Sequence, residues 1–137
     1  MKKYYIIYLV LASAVLIFAC TKKDETTERF KTLTGKVWTS DSLLVDGQDA
    51  GGPGGLLEKM AGDAEFRPDG TGYFGQYIGT WYFENNETEI TINSDSLALP
   101  LTSKIIELNE QSFKITTTFP SATPGVNLAI RITFRPK

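Results

Sequence analysis

Cys20 is the one residue of this 137-residue chain whose surroundings point to a definite chemistry. It is the only cysteine, and there is no histidine. A single thiol cannot close an intramolecular disulfide. Without histidine, the commonest general base is missing and a Cys/His zinc site cannot be assembled. A lone thiol is left with modification or attachment, and Cys20 ends the only long apolar run, Ile17-Phe18-Ala19-Cys20. The domain's acids, Glu65, Asp69, Glu84, Glu89, Asp95 and Glu107, fall in turns or on outward strand positions and read as solvated surface groups. No catalytic residue is indicated. Asp46 and Asp49 lack the spacing of a calcium loop, and Gly51-Gly52-Pro53-Gly54-Gly55 lacks the Gly-Lys-Ser/Thr ending of a phosphate cradle. No metal and no cofactor is expected.

The nineteen residues before Cys20 read as a device for exporting and anchoring it. Met1-Lys2-Lys3 is a short positive start, and Tyr4 to Ala19 is apolar apart from Ser13. Those sixteen residues, at about 1.5 Å each in a helix, fall short of a hydrocarbon core about 30 Å thick. A positive start, a short apolar run and a small residue before the cut describe a secretory signal over 1–19. The alternative, a short membrane helix that stays attached, has to accommodate Lys22, Lys23, Asp24 and Glu25 directly behind it. Ile17-Phe18-Ala19-Cys20 resembles the lipobox of bacterial lipoproteins, with Phe18 departing from the small residue usual at that place. The resemblance implies that the Cys20 thiol carries a diacylglyceryl group, that the leader is cut before it, and that the new amino group is acylated. Two or more acyl chains anchor stably, at about 0.8 kcal/mol per buried methylene. Lys23-Asp24-Glu25 is similar to the export signal of Bacteroidota-type surface lipoproteins, which implies an outer-membrane, cell-surface location. Residues 20–34, polar apart from Phe30 and Leu33, read as the lipidated cysteine and its tether.

Removal of the first 19 residues leaves 118 of the 137, enough for one domain. The mature chain keeps twelve basic against sixteen acidic residues. That balance gives no support for nucleic-acid binding, which needs a basic stripe for phosphates.

From residue 35 to 137 the pattern is short alternating segments punctuated by Gly, Pro, Asn and Asp. Strands are expected over Val37–Val45, Ala64–Arg67, Thr71–Phe74, Thr80–Glu84, Thr88–Ile92, Ser103–Leu108, Gln111–Phe119 and Val126–Arg135. Pro68-Asp69-Gly70 suits a tight turn, Asn85-Asn86 a two-residue turn, and Pro100 keeps the 93–102 connection out of a central strand. Leu56 to Met60 suits one helical turn placed as a lid over an opening. In the last segment Val126, Leu128, Ile130, Ile132 and Phe134 share a face. The fold class is all-β: an antiparallel up-and-down meander of about eight strands, closing into a barrel and so losing its exposed edges.

Three stretches carry a family likeness: Leu33-Thr34-Gly35-Lys36-Val37-Trp38, Phe66-Arg67-Pro68-Asp69-Gly70-Thr71-Gly72 and Gly79-Thr80-Trp81-Tyr82-Phe83, with the ending Ile132-Thr133-Phe134-Arg135. Their order and spacing resemble the lipocalin-like (calycin) domains of Bacteroidota-type surface lipoproteins. The resemblance implies a barrel-end pair in which Arg135 of the last strand lies over Trp38 of the first, although Trp38 follows Gly35 by three positions where the family has two.

Two functions follow. In the first, the barrel binds a small apolar ligand through Trp81, Phe83, Phe113, Ile115, Leu128, Ile130 and Ile132. That reading calls for a cavity of about 300 Å³ or more. In the second, the interior is filled and the outer face meets an envelope protein, a glycan or an external hydrolase. A patch of Tyr73, Tyr77 and Tyr82 would serve that role, since amphipathic aromatics suit interfaces. In both, the membrane partner is reached through acylated Cys20. An enzyme is the third and weakest reading.

Overall fold

Strands that alternate apolar and polar residues and are joined by short turns pair with their sequence neighbours. The computed structural model describes residues 26–137; the leader, Cys20 and the start of the tether lie outside the described residues. A short helix, α1 (Glu28–Thr34), leads into β1 (Val37–Val45) and a two-residue β2 (Gln48–Asp49). A single 3₁₀ turn (Glu58–Met60) precedes β3 (Asp63–Phe66), β4 (Thr71–Phe74), β5 (Tyr77–Glu84) and β6 (Glu89–Ser94). The chain ends in β7 (Leu101–Leu108), β8 (Phe113–Pro120) and β9 (Asn127–Pro136). Every pairing is antiparallel. β1 pairs back onto β9, from Trp38 opposite Pro136 to Val45 opposite Ile130, closing eight long strands into a barrel. β2 is a flap folded onto the far end of β1. The expected all-β up-and-down meander is therefore the observed fold, and its closed barrel is lipocalin-like.

One half of the interior is solid. Trp38, Phe66, Phe74, Phe113 and Phe134 are fully buried, along with Leu33, Ile90, Ile115 and Ile132. Phe66 sits among Phe74, Trp81 and Phe113 at ring separations of 5.0, 5.7 and 5.6 Å, and Phe113 stacks on Phe134 at 5.5 Å. Such tilted and edge-on contacts add to the apolar burial that drives folding. The Gly79-Thr80-Trp81 motif has a packing reason: a Cβ on Gly79 would lie 1.9 Å from the Asn93 carbonyl oxygen across the β5–β6 ladder. The Asp69-Gly70 turn is as expected. Gly70 takes φ +85°, and Asp69 accepts hydrogen bonds from the Thr71 amide and hydroxyl.

Three expectations are corrected. First, residues 28–34 are not tether but α1, which plugs the solid end. Thr27 caps it, its hydroxyl accepting from the Phe30 amide at 3.1 Å. Phe30 and Leu33, three apart, turn to one side. A seven-residue helix is marginal in water, so burial supports it. Leu33 is fully buried and Phe30 packs on Trp81 at 5.5 Å. The domain thus starts at the cap, Thr27, and not at residue 35.

Second, Arg135 does not cover Trp38. The register sets Arg135 opposite Thr39, one residue out of phase with Trp38, so it points outward and its Nε meets Asp41 at 3.0 Å. Trp38 faces inward, its Nε1–H donates to the Leu33 carbonyl at 3.0 Å, and the cation over its ring is Lys36 at 5.4 Å. Third, the β5–β6 turn has four residues, with Asn85, Asn86 and Glu87 all at positive φ. Glu87 is an unfavourable residue for that conformation. Helix α1 holds it there: the Thr27 hydroxyl donates to its carboxylate and Arg29 Nε to its carbonyl.

Two stability predictions follow from this end of the barrel. Leu33→Ala removes a fully buried side chain and should cost about 2–5 kcal/mol in denaturant unfolding; a loss below about 0.5 kcal/mol would mean that α1 is not integral to the domain. The second concerns pH. Hydrogen bonds from Lys137, Lys114 and Lys36 hold the carboxyls of Asp63, Glu107 and Glu110 below their ordinary values, and Thr71 does the same for Asp69. Their stabilisation is present above the unfolded values of 3.8 and 4.5 and is lost as pH falls through the lower folded ones. Lys137, raised by Asp63, stabilises below 10.5 and loses that as pH rises further. With no histidine, the melting temperature should be nearly flat from about pH 6 to 9 and fall at both extremes. A step near pH 6.5 in calorimetry would contradict this.

Candidate functional site

The end opposite α1 is built from loops: 46–62, the β4–β5 turn, the β6–β7 connection and the β8–β9 turn. The first of these forms the lid. The Ala50 amide donates to the Leu43 carbonyl at 2.8 Å and the Leu57 amide to the Ala50 carbonyl at 2.9 Å, folding the glycine-rich stretch back on itself. The Gly54 amide donates to the Glu58 carboxylate at 3.0 Å, and the Gln76 amide donates to the Lys59 carbonyl at 2.8 Å, tying the 3₁₀ turn to the β4–β5 turn. Gly75 sits at φ +61° with the Lys59 and Met60 carbonyls against it, leaving no room for a side chain. Leu57 and Met60 are thereby pressed inward and buried.

Beneath the lid lies a cavity of about 200 Å³. Leu56, Leu57 and Met60 form its roof, and Tyr77 of β5, Leu101 of β7, Phe119 of β8 and Ile130 of β9 form its walls. Ser96, Leu97 and Ala98 of the β6–β7 connection close the side. The lining carries no charged residue, and its polar side chains are the Tyr77 and Ser96 hydroxyls. Leu56, Leu99 and Val126, on three different loops at this end, are exposed. An apolar hollow with two hydroxyls has the lining that suits an uncharged apolar group.

Of the seven residues expected to contact a ligand, only Ile130 lines this cavity. Trp81, Phe113, Ile115 and Ile132 belong to the filled half, and Phe83 packs edge-on against Trp81 at 5.4 Å near α1. Leu128 is half-buried, opposite Phe119 in the β8–β9 ladder. All seven alternate correctly, but alternation reports the inward face and not the depth along the barrel axis. The lid was legible from Leu56 to Met60. Tyr77, Leu97, Leu101 and Phe119 were not picked out, although Leu97 and Leu101 lie on the alternate apolar positions of the 93–102 connection. The expected tyrosine patch does not form: Tyr77 packs against the core, whereas Tyr82 is exposed on the outer side.

Two acids are accounted for by the backbone. Asp46 accepts from the Ala129 amide at 2.8 Å and Asp49 from the Gly51 amide at 3.0 Å. Among the described residues no three acidic, cysteine or histidine groups gather as metal ligands. The chain matches no family model, and no curated protein matches it as a relative.

Proposed function

We propose that this chain is a lipid-anchored outer-membrane protein whose barrel binds a small, uncharged, apolar ligand at its lidded mouth. The observation that carries the reading is the cavity under Leu57 and Met60, closed below by a packed aromatic core and lined almost wholly by apolar side chains. At about 200 Å³ the cavity falls short of the roughly 300 Å³ expected of a carrier, which restricts the ligand to one aromatic ring or a short acyl segment. The anchoring part rests on Ile17-Phe18-Ala19-Cys20, and surface display on Lys23-Asp24-Glu25. The second reading, a barrel that meets an envelope protein, glycan or external hydrolase through its outer face, draws support from the solid lower half.

Titration of the domain from Thr26, which holds every described core residue, with a linear alcohol series in calorimetry tests the ligand. Affinity should rise with chain length, by about 0.8 kcal/mol per methylene, and then level off once the cavity is full. Leu101→Trp, which fills the hollow, should abolish saturable binding while leaving the circular dichroism unchanged. Absence of saturation across the series would overturn the ligand reading. For the anchor, Cys20→Ser should eliminate metabolic labelling with radioactive palmitate and release the protein from the membrane fraction. Labelling that survives the substitution would overturn it.

A further inference from the structure

The described residues carry ten basic and fourteen acidic groups, and most of the cations are matched to a carboxylate. Arg29, Lys59, Lys104 and Arg131 are not, among the described residues. Arg29 and Lys59 lie far apart, on α1 and on the lid. Lys104 and Arg131 lie in one row. Lys104 stands opposite Thr116, Thr116 opposite Arg131, and Arg131 opposite Leu44, so the row crosses four strands on the outside of the barrel. Strand spacing puts the two cations about 10 Å apart at the backbone.

The surface around Arg131 is concave. A depression of about 390 Å³ is lined by Ser42, Leu44, Ile106, Lys114, Arg131 and Thr133, among others, and a second of about 150 Å³ shares Leu44 and Arg131 with it. A register shift between Ile105 and Glu107 turns Ile106 outward to form one wall. Thr133, only 7% exposed, is the floor. The next row, Glu107, Lys114, Thr133 and Ser42, is internally neutral because Lys114 meets Glu107 at 3.1 Å. Acids bracket the row at both ends: Glu89 stands opposite Lys104 on β6, with Glu84 beyond it, and Asp49 stands opposite Leu44 on β2, so the positive field is confined to the stretch between.

We propose that this face binds an acidic polysaccharide, with Arg131 and Lys104 each taking a carboxylate and the Ser42 and Thr133 hydroxyls facing the sugar hydroxyls. A guanidinium suits a carboxylate because its planar fork donates two parallel hydrogen bonds. The charge is sparse: two cations with no carboxylate in ion-pair contact, on a domain of net negative charge, do not match the dense phosphates of a nucleic acid. A stable protein partner needs a continuous apolar centre, and the apolar lining here, Leu44, Ile106, Ala129 and the buried Ile130, is interspersed with hydroxyl and charged groups. A lipid surface would need an apolar face to insert, and a concave, hydroxyl-lined groove does not supply one. The site lies on the outside of the barrel wall, touches the mouth cavity only at Ile130, and requires neither a ligand there nor acylation of Cys20.

The probe is a polygalacturonate oligosaccharide, titrated into the domain from Thr26 at low salt and followed by amide chemical-shift changes. Shifts should map to β7, β8, β9 and β1, and affinity should fall as salt rises. Arg131→Gln and Lys104→Gln should each weaken binding about tenfold, the loss of one charge-assisted hydrogen bond. Both side chains are exposed and unpaired, so neither change should alter the melting temperature. Lys59→Gln, removing a distant unpaired cation, should leave affinity unchanged. Three results would overturn the proposal: no binding at low salt, binding indifferent to the Arg131 and Lys104 changes, or stronger Arg131-dependent binding to phosphatidylglycerol vesicles than to the oligosaccharide.

Discussion

The β1–β9 ladder is the interaction on which the rest of the molecule depends. Seven residue pairs, from Trp38–Pro136 to Val45–Ile130, convert a meander with two open edges into a closed wall. Closure removes unpaired backbone groups that would otherwise invite pairing with another chain. It also determines which side chains are inside. With Trp38 opposite Pro136 and Leu43 opposite Ile132, the aromatic core assembles inward, and Arg135 and Arg131 are left outside. A slip of one residue in this ladder would exchange the two sets.

Closure leaves two ends, and the chain finishes them differently. The α1 end is sealed by a helix that is held as much by its polar contacts as by burial: Thr27 and Arg29 reach Glu87, Lys36 reaches Glu110, and the Trp38 indole donates to Leu33. The other end is sealed by a loop, and loops pack less completely. The hollow beneath Met60 is the space left where a folded-over, glycine-rich segment meets four strand ends. A cavity is left there because the core tapers off, whereas at the α1 end Phe30 and Leu33 occupy the corresponding space.

The two candidate surfaces obey opposite physical rules. The mouth is uncharged and selects by volume, so its affinity is set by apolar area removed from water. The outer groove selects by charge spacing, so its affinity is sensitive to salt.

How much was legible in the sequence follows from the range of the forces involved. Strand positions were, because period-two alternation and turn residues are local: Val37–Val45 and Thr71–Phe74 agree with the structure at both ends, and the others lie within about three residues of their strands. The lid was also legible, since Leu56, Leu57 and Met60 bring apolar side chains together directly after a loop with five glycines. The helix was not, because Glu28–Thr34 is too short to form by propensity and exists only against Trp81 and the β5–β6 turn. Nor was the ligand cavity: Phe113 and Ile130 look alike in a strand pattern, and only the stagger of the closed barrel puts one in the packed half and the other beneath the lid. Alternation, turns and the lone Cys20 behind a short apolar run are all encoded within a few residues and were legible for that reason. The tertiary structure decided register, depth and neighbour, because those depend on which strand lies beside which, as when closure separates Trp38 from Arg135 and sets Lys104 and Arg131 in one row.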